Sequence, residues 1–299
     1  MNYVVETANL TKHYGRIRAL TNLNFRVETG SVFGILGPNG SGKTTCLSIL
    51  LDVIKPDSGD YQWFGKAPSH LTRRGRIGAL LETPNFYPYL TAFENLKVAV
   101  TIKNRSENSI PNALQITGLL SRRYSRYSTF SLGMKQRLAI ASTLLSSPEV
   151  LVLDEPTNGL DPQGIAEIRE LIHQIGNQGK TIILASHMLD EVEKVCSHVA
   201  ILKSGEMITS GKVSDIAGSD NQVEIAADAM DTLERVAKEI TGLLNFRREK
   251  DKMVLRFNKP VNTGELNRYF FDKGITLTAL TTKRSSLENM FLEMTSGNA

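Results

Sequence analysis

Gly37-Pro38-Asn39-Gly40-Ser41-Gly42-Lys43-Thr44-Thr45 combines residue types suited to holding a chain of phosphates. Glycines at 37, 40 and 42 let the backbone curl so that its N–H groups point inward at phosphate oxygens. Lys43 supplies a point charge for the β- and γ-phosphates, and Thr44 offers a hydroxyl to Mg²⁺. The pattern fits G-x-x-x-x-G-K-[ST], the phosphate-binding P-loop, and its flanks fit too. Val32–Leu36 reads as a buried strand, and Cys46–Leu51 as a helix whose positive N-terminal end adds to the anion site. A glycine-rich turn that binds nothing is the alternative, but Lys43-Thr44 has little structural purpose in such a turn.

Other chemistry-bearing residues follow later in the chain. Val150–Leu153 is a continuous apolar run, as in a central parallel strand covered on both faces, and it ends in Asp154-Glu155-Pro156. Ligands of open α/β sheets sit beyond strand C-termini. Two carboxylates there, beside a P-loop, imply a metal and an activated water; a structural helix cap is the rival reading. Thr181–Ser186 reads as another buried strand with His187 at its C-terminal end. Ser131 precedes Met134, Leu138, Ala141 and Leu145 at helical spacing. It reads as an N-cap, and a capping serine at a free helix N-terminus is also an anion site. Asp161 reads as a second N-cap, with Pro162 at the first helical position. Tyr14 is either a platform for a stacked nucleobase or a half-buried sheet aromatic.

The elements that must position these residues need a sizeable core. The chain has 299 residues, 41% of them hydrophobic, enough for one large domain and a small one. A net charge of +4 and the short pairs Arg73-Arg74, Arg122-Arg123 and Arg247-Arg248 read as solvated surface, so no nucleic acid is expected. Two cysteines, Cys46 and Cys196, suit a reducing cytosol rather than a disulfide framework. No apolar signal region opens the chain, and no stretch approaches the roughly 20 apolar residues of a membrane helix. A membrane role must therefore come through a partner.

Tyr3–Glu6 and Leu20–Val27 predict antiparallel strands with a tight turn at Gly15. Lys55–Gly59 carries turn chemistry, and Ile77–Leu81 is a short apolar strand ending at Glu82. Thr91-Ala92-Phe93-Glu94 is a capping box opening a helix to about Lys103. Pro111 predicts the first position of another helix, so residues 86–146 are expected to be mainly helical. Val199–Lys203 and Glu206–Thr209 read as a hairpin around Ser204-Gly205. Near Gly218 the character changes, dividing the chain into 1–218 and 219–299. The second part reads strand, helix, strand, strand, helix, strand, like a split βαβ (ferredoxin-like) unit, closed by amphipathic Ser286–Leu292. It carries no catalytic constellation and is expected to serve regulation or interaction.

These motifs resemble those of ABC-transporter ATP-binding subunits. The resemblance rests on the P-loop, Phe130–Arg137, Leu153–Asp161 and Ala185-Ser186-His187 in that order, and covers about residues 3–218. It implies an α/β P-loop cassette: a parallel core, an antiparallel β subdomain and a helical subdomain. It implies that Tyr14 stacks on adenine, and that Gly37, Pro38, Asn39, Gly40, Ser41, Gly42, Lys43, Thr44 and Thr45 hold the phosphates of ATP. Thr44 and Asp154 would serve Mg²⁺, Glu155 the attacking water, and His187 the γ-phosphate. Asp161 would lie at a subunit interface. Ser131 and Gly133 would contact ATP held by a second cassette, so that two cassettes sandwich two ATPs head to tail. Two departures stand out. Phe130-Ser131-Leu132-Gly133-Met134 replaces the usual Leu-Ser-Gly-Gly-Gln, and Glu82 replaces a usual glutamine. Glutamate there is similar to the ATPases of lantibiotic-immunity and bacitracin-resistance exporters, and predicts that Glu82 is a Mg²⁺ ligand.

The resemblance implies a motor subunit at the cytoplasmic face of a membrane, peripheral through polytopic permease subunits, with Phe86-Tyr87-Pro88 and the helical insert as the docking surface. A non-transport ABC ATPase acting on ribosomes or DNA would usually carry two cassettes or a coiled-coil insertion, and this chain has neither. A P-loop kinase is disfavoured by Asp154-Glu155 followed by Asp161 and His187.

Overall fold

The computed structural model describes residues 3–67, 75–81, 85–216, 222–259, 261–283, 287–288 and 290–291. Contacts divide the chain into two compact units, Met1–Gly211 and Lys212–Ala299, a few residues before the change of character near Gly218.

In the first unit, two sheets enclose the P-loop helix. The antiparallel sheet holds β1 (Tyr3–Tyr14), β2 (Ile17–Leu23), β3 (Arg26–Glu28) and β5 (Ser58–Trp63). The second sheet holds β4 (Val32–Leu36), β6 (Ile77–Leu80), β7 (Val150–Asp154), β8 (Thr181–Ser186), β9 (His198–Lys203) and β10 (Glu206–Lys212). Its order is β10-β9-β4-β8-β7-β6, and β9, β4, β8, β7 and β6 run parallel. β7 and β8 are buried along their whole length, which explains their uninterrupted apolar character.

Helix α1 (Lys43–Leu50) lies between these sheets, touching β2 on one side and β7 and β8 on the other. Cys46, Leu47, Ile49 and Leu50 join Leu20, Trp63, Ile35, Val152 and Ile183 in one core. Burial pushes the Cys46 thiol up to about 12, so it behaves as a small apolar group. Trp63 is fully buried and donates Nε1–H to Leu50 O at 2.7 Å, tying β5 to the end of α1.

Helices α2 (Ala92–Ile102), α3 (Ser109–Ile116) and α4 (Leu132–Leu144) form the helical part. The capping box is complete: Thr91 Oγ1 accepts from Glu94 N, and Glu94 Oε2 accepts from Thr91 N at 2.8 Å. Helix α5 (Pro162–Asn177) and the short α6 (Leu189–Val195) follow β7 and β8.

Four local expectations need correction. The stretch Leu20–Val27 is two strands, with Asn24 and Phe25 between them. Strand β5 was not foreseen, because the turn residues at its start mask the alternation of Tyr61 and Trp63. Pro111 is the third residue of α3 rather than its first; the first turn tolerates it because its N–H groups have no intrahelical acceptor. The last strand of the second unit begins at Ala279, not Ile275.

In the second unit, β11 (Gln222–Ala226), α7 (Met230–Ala237), β12 (Leu243–Glu249), β13 (Lys252–Phe257), α8 (Thr263–Asp272) and β14 (Ala279–Lys283) follow a single helical turn at Val213–Ile216. The sheet order is β12-β13-β11-β14 with antiparallel neighbours, so β13 separates the strands that α7 connects. Val223, Ile225, Leu255 and Phe257 pack with Leu233 and Phe270 from the helices. Of Ser286–Leu292, only Leu287, Glu288, Met290 and Phe291 are described, and these are helical.

Candidate active site

Strand register decides which side chains meet. Leu36 of β4 lies opposite Ser186 of β8, and Ala185 lies opposite Asp154 of β7. Three adjacent parallel strands therefore end at one level. The P-loop leaves the first, His187 follows the second and Glu155 follows the third. On β7's other side Leu80 of β6 lies opposite Leu153; Glu82, two residues on, is outside the described residues.

Lys43 is buried and donates from Nζ to Gly37 O at 2.8 Å and Pro38 O at 3.3 Å. The same nitrogen is 3.3 Å from Glu155 Oε1. Glu155 Oε2 lies 2.9 Å from His187 Nδ1. Where Nδ1 carries the ring proton it donates to that oxygen. Glu155 holds φ of 46°, a left-handed conformation that a residue with a Cβ rarely adopts, while its N–H donates to Ala185 O at 2.9 Å. This strained corner turns the carboxylate off the strand and toward Lys43 and His187.

The P-loop itself is shaped to leave backbone donors open. Gly42 is the N-cap of α1 with φ of 104° and no side-chain cap, so the first N–H groups of the helix have no competing acceptor from that position. A Cβ on Gly42 would strike Ala19 O of β2, and one on Gly37 would strike Leu202 O of β9. Ser41 Oγ is buried and has no hydrogen-bond partner among the described residues. Oriented donors, a buried lysine and an unpaired hydroxyl suit a polyphosphate. Thr44 is exposed at the first turn of α1, and Asp154 is buried at the end of β7. Among the described residues no three His, Cys, Asp or Glu side chains form a metal cage. That donor set suits Mg²⁺, which keeps waters and takes ligands from phosphate oxygens.

Tyr14 ends β1 and pairs with Ile17 across the Gly15 turn, and it is 48% exposed, which leaves a ring face available. Asp57 anchors the residues just before it. Its carboxylate accepts from Lys12 Nζ at 2.8 Å and from His13 N at 2.6 Å, which hold the acid below the usual carboxylate range.

Ser131 and Asp161 form a second grouping. Ser131 caps α4 by accepting from Met134 N at 3.3 Å, and Asp161 caps α5 by accepting from Gly164 N at 2.9 Å. Ser131, Gly133, Asp161 and Gly164 line one open cleft between the two helix N-termini. Among the described residues this group shares no hydrogen bond or ion pair with Lys43, Glu155 or His187. Leu132, at the first position of α4, is 49% exposed on the rim of that cleft. Sequence reasoning missed the supports of the P-loop: the carbonyls of Ala19 and Leu202, and Gly205, whose N–H donates to Ser41 O at 3.1 Å. Only the Ser204-Gly205 turn was visible, and only as a hairpin.

Residues 20–158 match the family profile described as ABC transporter. Over 304 aligned residues the chain is 36% identical to the bacitracin transport ATP-binding protein BcrA of Bacillus licheniformis, covering 99% of each chain. The chain belongs to the ABC transporter ATP-binding family. A second relative in that family is the lantibiotic transport ATP-binding protein SrtF of Streptococcus pyogenes, 39% identical over 74% of this chain and 95% of its own. Among solved structures, cbiO1 of Clostridium perfringens, part of an ABC transporter complex, superposes with a TM-score of 0.65 at 30% identity, over 71% of this chain and 89% of the other. A dimeric ATP-binding cassette in a post-hydrolysis state bound to ADP and Pi superposes at 0.61 and 28% identity, over 70% of this chain and 99% of that one. The ABC cassette is thus a P-loop NTPase fold that binds ATP and hydrolyses it in service of transport. Among the described residues no helix is long and apolar enough to cross a membrane.

Proposed function

We propose that this chain is the ATP-hydrolysing motor of an exporter whose cargo is a peptide antibiotic, and that it drives separately encoded membrane subunits from the cytoplasmic face. The observation that carries the reading is the sharing of one carboxylate, Glu155, by Lys43 and His187 at the ends of adjacent strands. The cargo class rests on the names of the relatives, with BcrA matching along essentially the whole chain, second unit included.

In this reading Gly37–Thr45 bind the polyphosphate through backbone N–H groups, and Lys43 exchanges its bonds with Gly37 and Pro38 carbonyls for phosphate oxygens. Tyr14 stacks on the adenine. Thr44, Asp154 and Glu82 are the residues that would hold Mg²⁺, and a bound ion would supply neutralisation of phosphate charge. Glu155 orients the attacking water and takes its proton, and His187 steadies Glu155 and reaches toward the γ-phosphate. Positioning and charge stabilisation supply nearly all of such catalysis.

Ser131 and Gly133 face the γ-phosphate of ATP bound by a second cassette, with Asp161 beside the seam. Two cassettes close head to tail on two Mg-ATP, and loss of the γ-phosphate contact lets them open. The separation of the Ser131 group from the Lys43 group within one chain supports this arrangement. The second unit, 212–299, serves regulation or interaction, and the membrane subunits dock at Phe86-Tyr87-Pro88 and the helical part.

The test is capture from native membranes. A tagged Glu155→Gln chain, loaded with ATP and solubilised, is expected to recover a polytopic membrane protein. Recovery of ribosomes or DNA-bound proteins with no membrane partner would overturn the transport reading.

A further inference from the structure

We propose that Arg137 and Glu167 form a positioning clamp that fixes the N-terminus of α4 against the loop carrying Glu155, and so couples the two shared ATP sites of a cassette pair. The proposal rests on the reading above, that α4 of one cassette completes the site of the other.

The geometry runs through a single ion pair. Arg137 Nη2 of α4 lies 3.3 Å from Glu167 Oε2 of α5. Arg137 stands four residues after Gly133, on the same face of α4, and helical side chains lean back toward the N-terminus. Its guanidinium therefore lies beneath the anion site that Ser131 caps. Glu167 stands six residues after Asp161, the N-cap of α5. From Asp161 the chain returns to Glu155 through a tight turn, in which Leu160 N donates to Thr157 O and Asn158 N donates to Glu155 O. One side-chain pair thus closes a path from Ser131 and Gly133 to the strained corner at Glu155.

Two further observations make the pair more than a surface contact. The Arg137 side chain is only 22% exposed, and its Nε is buried with no hydrogen-bond partner among the described residues. A long cationic side chain is being held there at a desolvation cost, so its position is not incidental. Gly118, just past α3 with φ of 67°, would place a Cβ 3.2 Å from Arg137 Nη1. The guanidinium therefore sits at the C-terminal end of α3, where the helix dipole favours a cation. Arg137 and Glu167 together line both the Ser131–Asp161 cleft and a second cleft bounded by Gly118 and Gln174. Arg137 thereby ties α4 to α5, which packs on β8, and lies against the end of α3.

Neither residue is assigned contact with nucleotide, so the effect should appear in the shared sites and not in binding to the P-loop. The experiment compares full-length wild type with Arg137→Met, Glu167→Gln, Arg137→Lys and the exchange Arg137→Glu/Glu167→Arg. Hydrolysis is read against ATP concentration at fixed protein, ADP binding by calorimetry, and folding by thermal midpoint. Arg137→Met and Glu167→Gln are expected to raise the half-saturating ATP concentration about five-fold or more, with ADP affinity within about two-fold of wild type. The exchange and Arg137→Lys are expected to return it toward wild type. Should Arg137→Met fold poorly, Glu167→Gln, the more exposed partner, carries the comparison. Unchanged half-saturation in Glu167→Gln, or no recovery in both the exchange and Arg137→Lys, overturns the clamp. Ser131→Phe is measured in parallel. If it abolishes hydrolysis while Glu167→Gln behaves as wild type, the clamp alone fails. If it hydrolyses ATP normally, the shared-site reading fails and takes the clamp with it.

Discussion

His187 Nδ1 lies 2.9 Å from one oxygen of Glu155, and the other oxygen of that carboxylate is 3.3 Å from Lys43 Nζ. Glu155 is thus held by an ammonium on one side and an imidazole on the other. Replacing it with Gln keeps the shape and removes the proposed base. Hydrolysis in Glu155→Gln is expected to fall by about 10²–10⁴-fold, and in His187→Ala by about 10²-fold, with ATP still bound. Single-turnover kinetics beside equilibrium binding checks both halves; a Glu155→Gln chain that turns over normally would remove Glu155 from the mechanism.

The backbone of Glu155 allows a separate test. Its φ of 46° disfavours any residue with a Cβ. Glu155→Gly and Glu155→Gln both lack the carboxylate, so the difference between them isolates the backbone. The glycine variant is expected to be more stable than the glutamine variant by about 1 kcal/mol, and equally inactive. Chemical denaturation of the two decides it; equal stability would mean that the corner stores no strain.

Gly42→Ala addresses the P-loop. The added Cβ meets Ala19 O at a backbone φ of 104°. The loop must shift, and ADP affinity is expected to fall by about 100-fold while the thermal midpoint drops by several degrees. Calorimetry with ADP is the measurement, and wild-type affinity would show that the donors do not need this cradle.

Asp57 predicts a pH response. Lys12 and His13 N lower its folded pKa below the ordinary value of 3.8. The stabilisation is therefore complete above that value and lost as pH falls through the lower, folded one. Asp57→Asn is expected to be less stable than wild type at pH 6, with the gap closing as pH falls below the ordinary carboxylate value. Thermal midpoints measured from pH 6 downward check the sign, and a constant gap would locate the effect elsewhere.

Glu82 bears on the metal. If it is a Mg²⁺ ligand, Glu82→Gln requires more Mg²⁺ for half-maximal hydrolysis, by about ten-fold for the loss of one charged ligand. Superimposable Mg²⁺ titrations would exclude the role.

The positions of the candidate site residues were legible in the sequence because each sits at a strand end or a helix cap, places where local pattern and chemistry coincide. Lys43 follows a strand and opens a helix, and Ser131 and Asp161 cap helices as their spacing predicts. What stayed hidden was set by contacts distant in sequence. Strand β5 forms because Trp63 reaches Leu50 and β1, neither of which a local window contains. The Arg137–Glu167 pair joins two helices separated by β7, and nothing in α4 alone marks its arginine as different from a solvated one. Asn9 takes φ of 51° and shifts the register of β1 against β5, breaking the alternation without ending the strand.

The P-loop occupies nine residues near the start of the chain, yet its walls come from Ala19, Leu202 and Gly205, and Gly205 O also accepts from Thr21 N at 2.8 Å. Nucleotide affinity is therefore a report on completed folding. A nascent chain that has emerged only as far as residue 195 carries the whole motif but lacks the β9–β10 hairpin that braces it. Such contacts across more than 150 residues form late, after loop closure has been overcome. ATP added to a refolding chain should accelerate nothing early and should instead trap the last step, when the hairpin docks and the cradle becomes rigid.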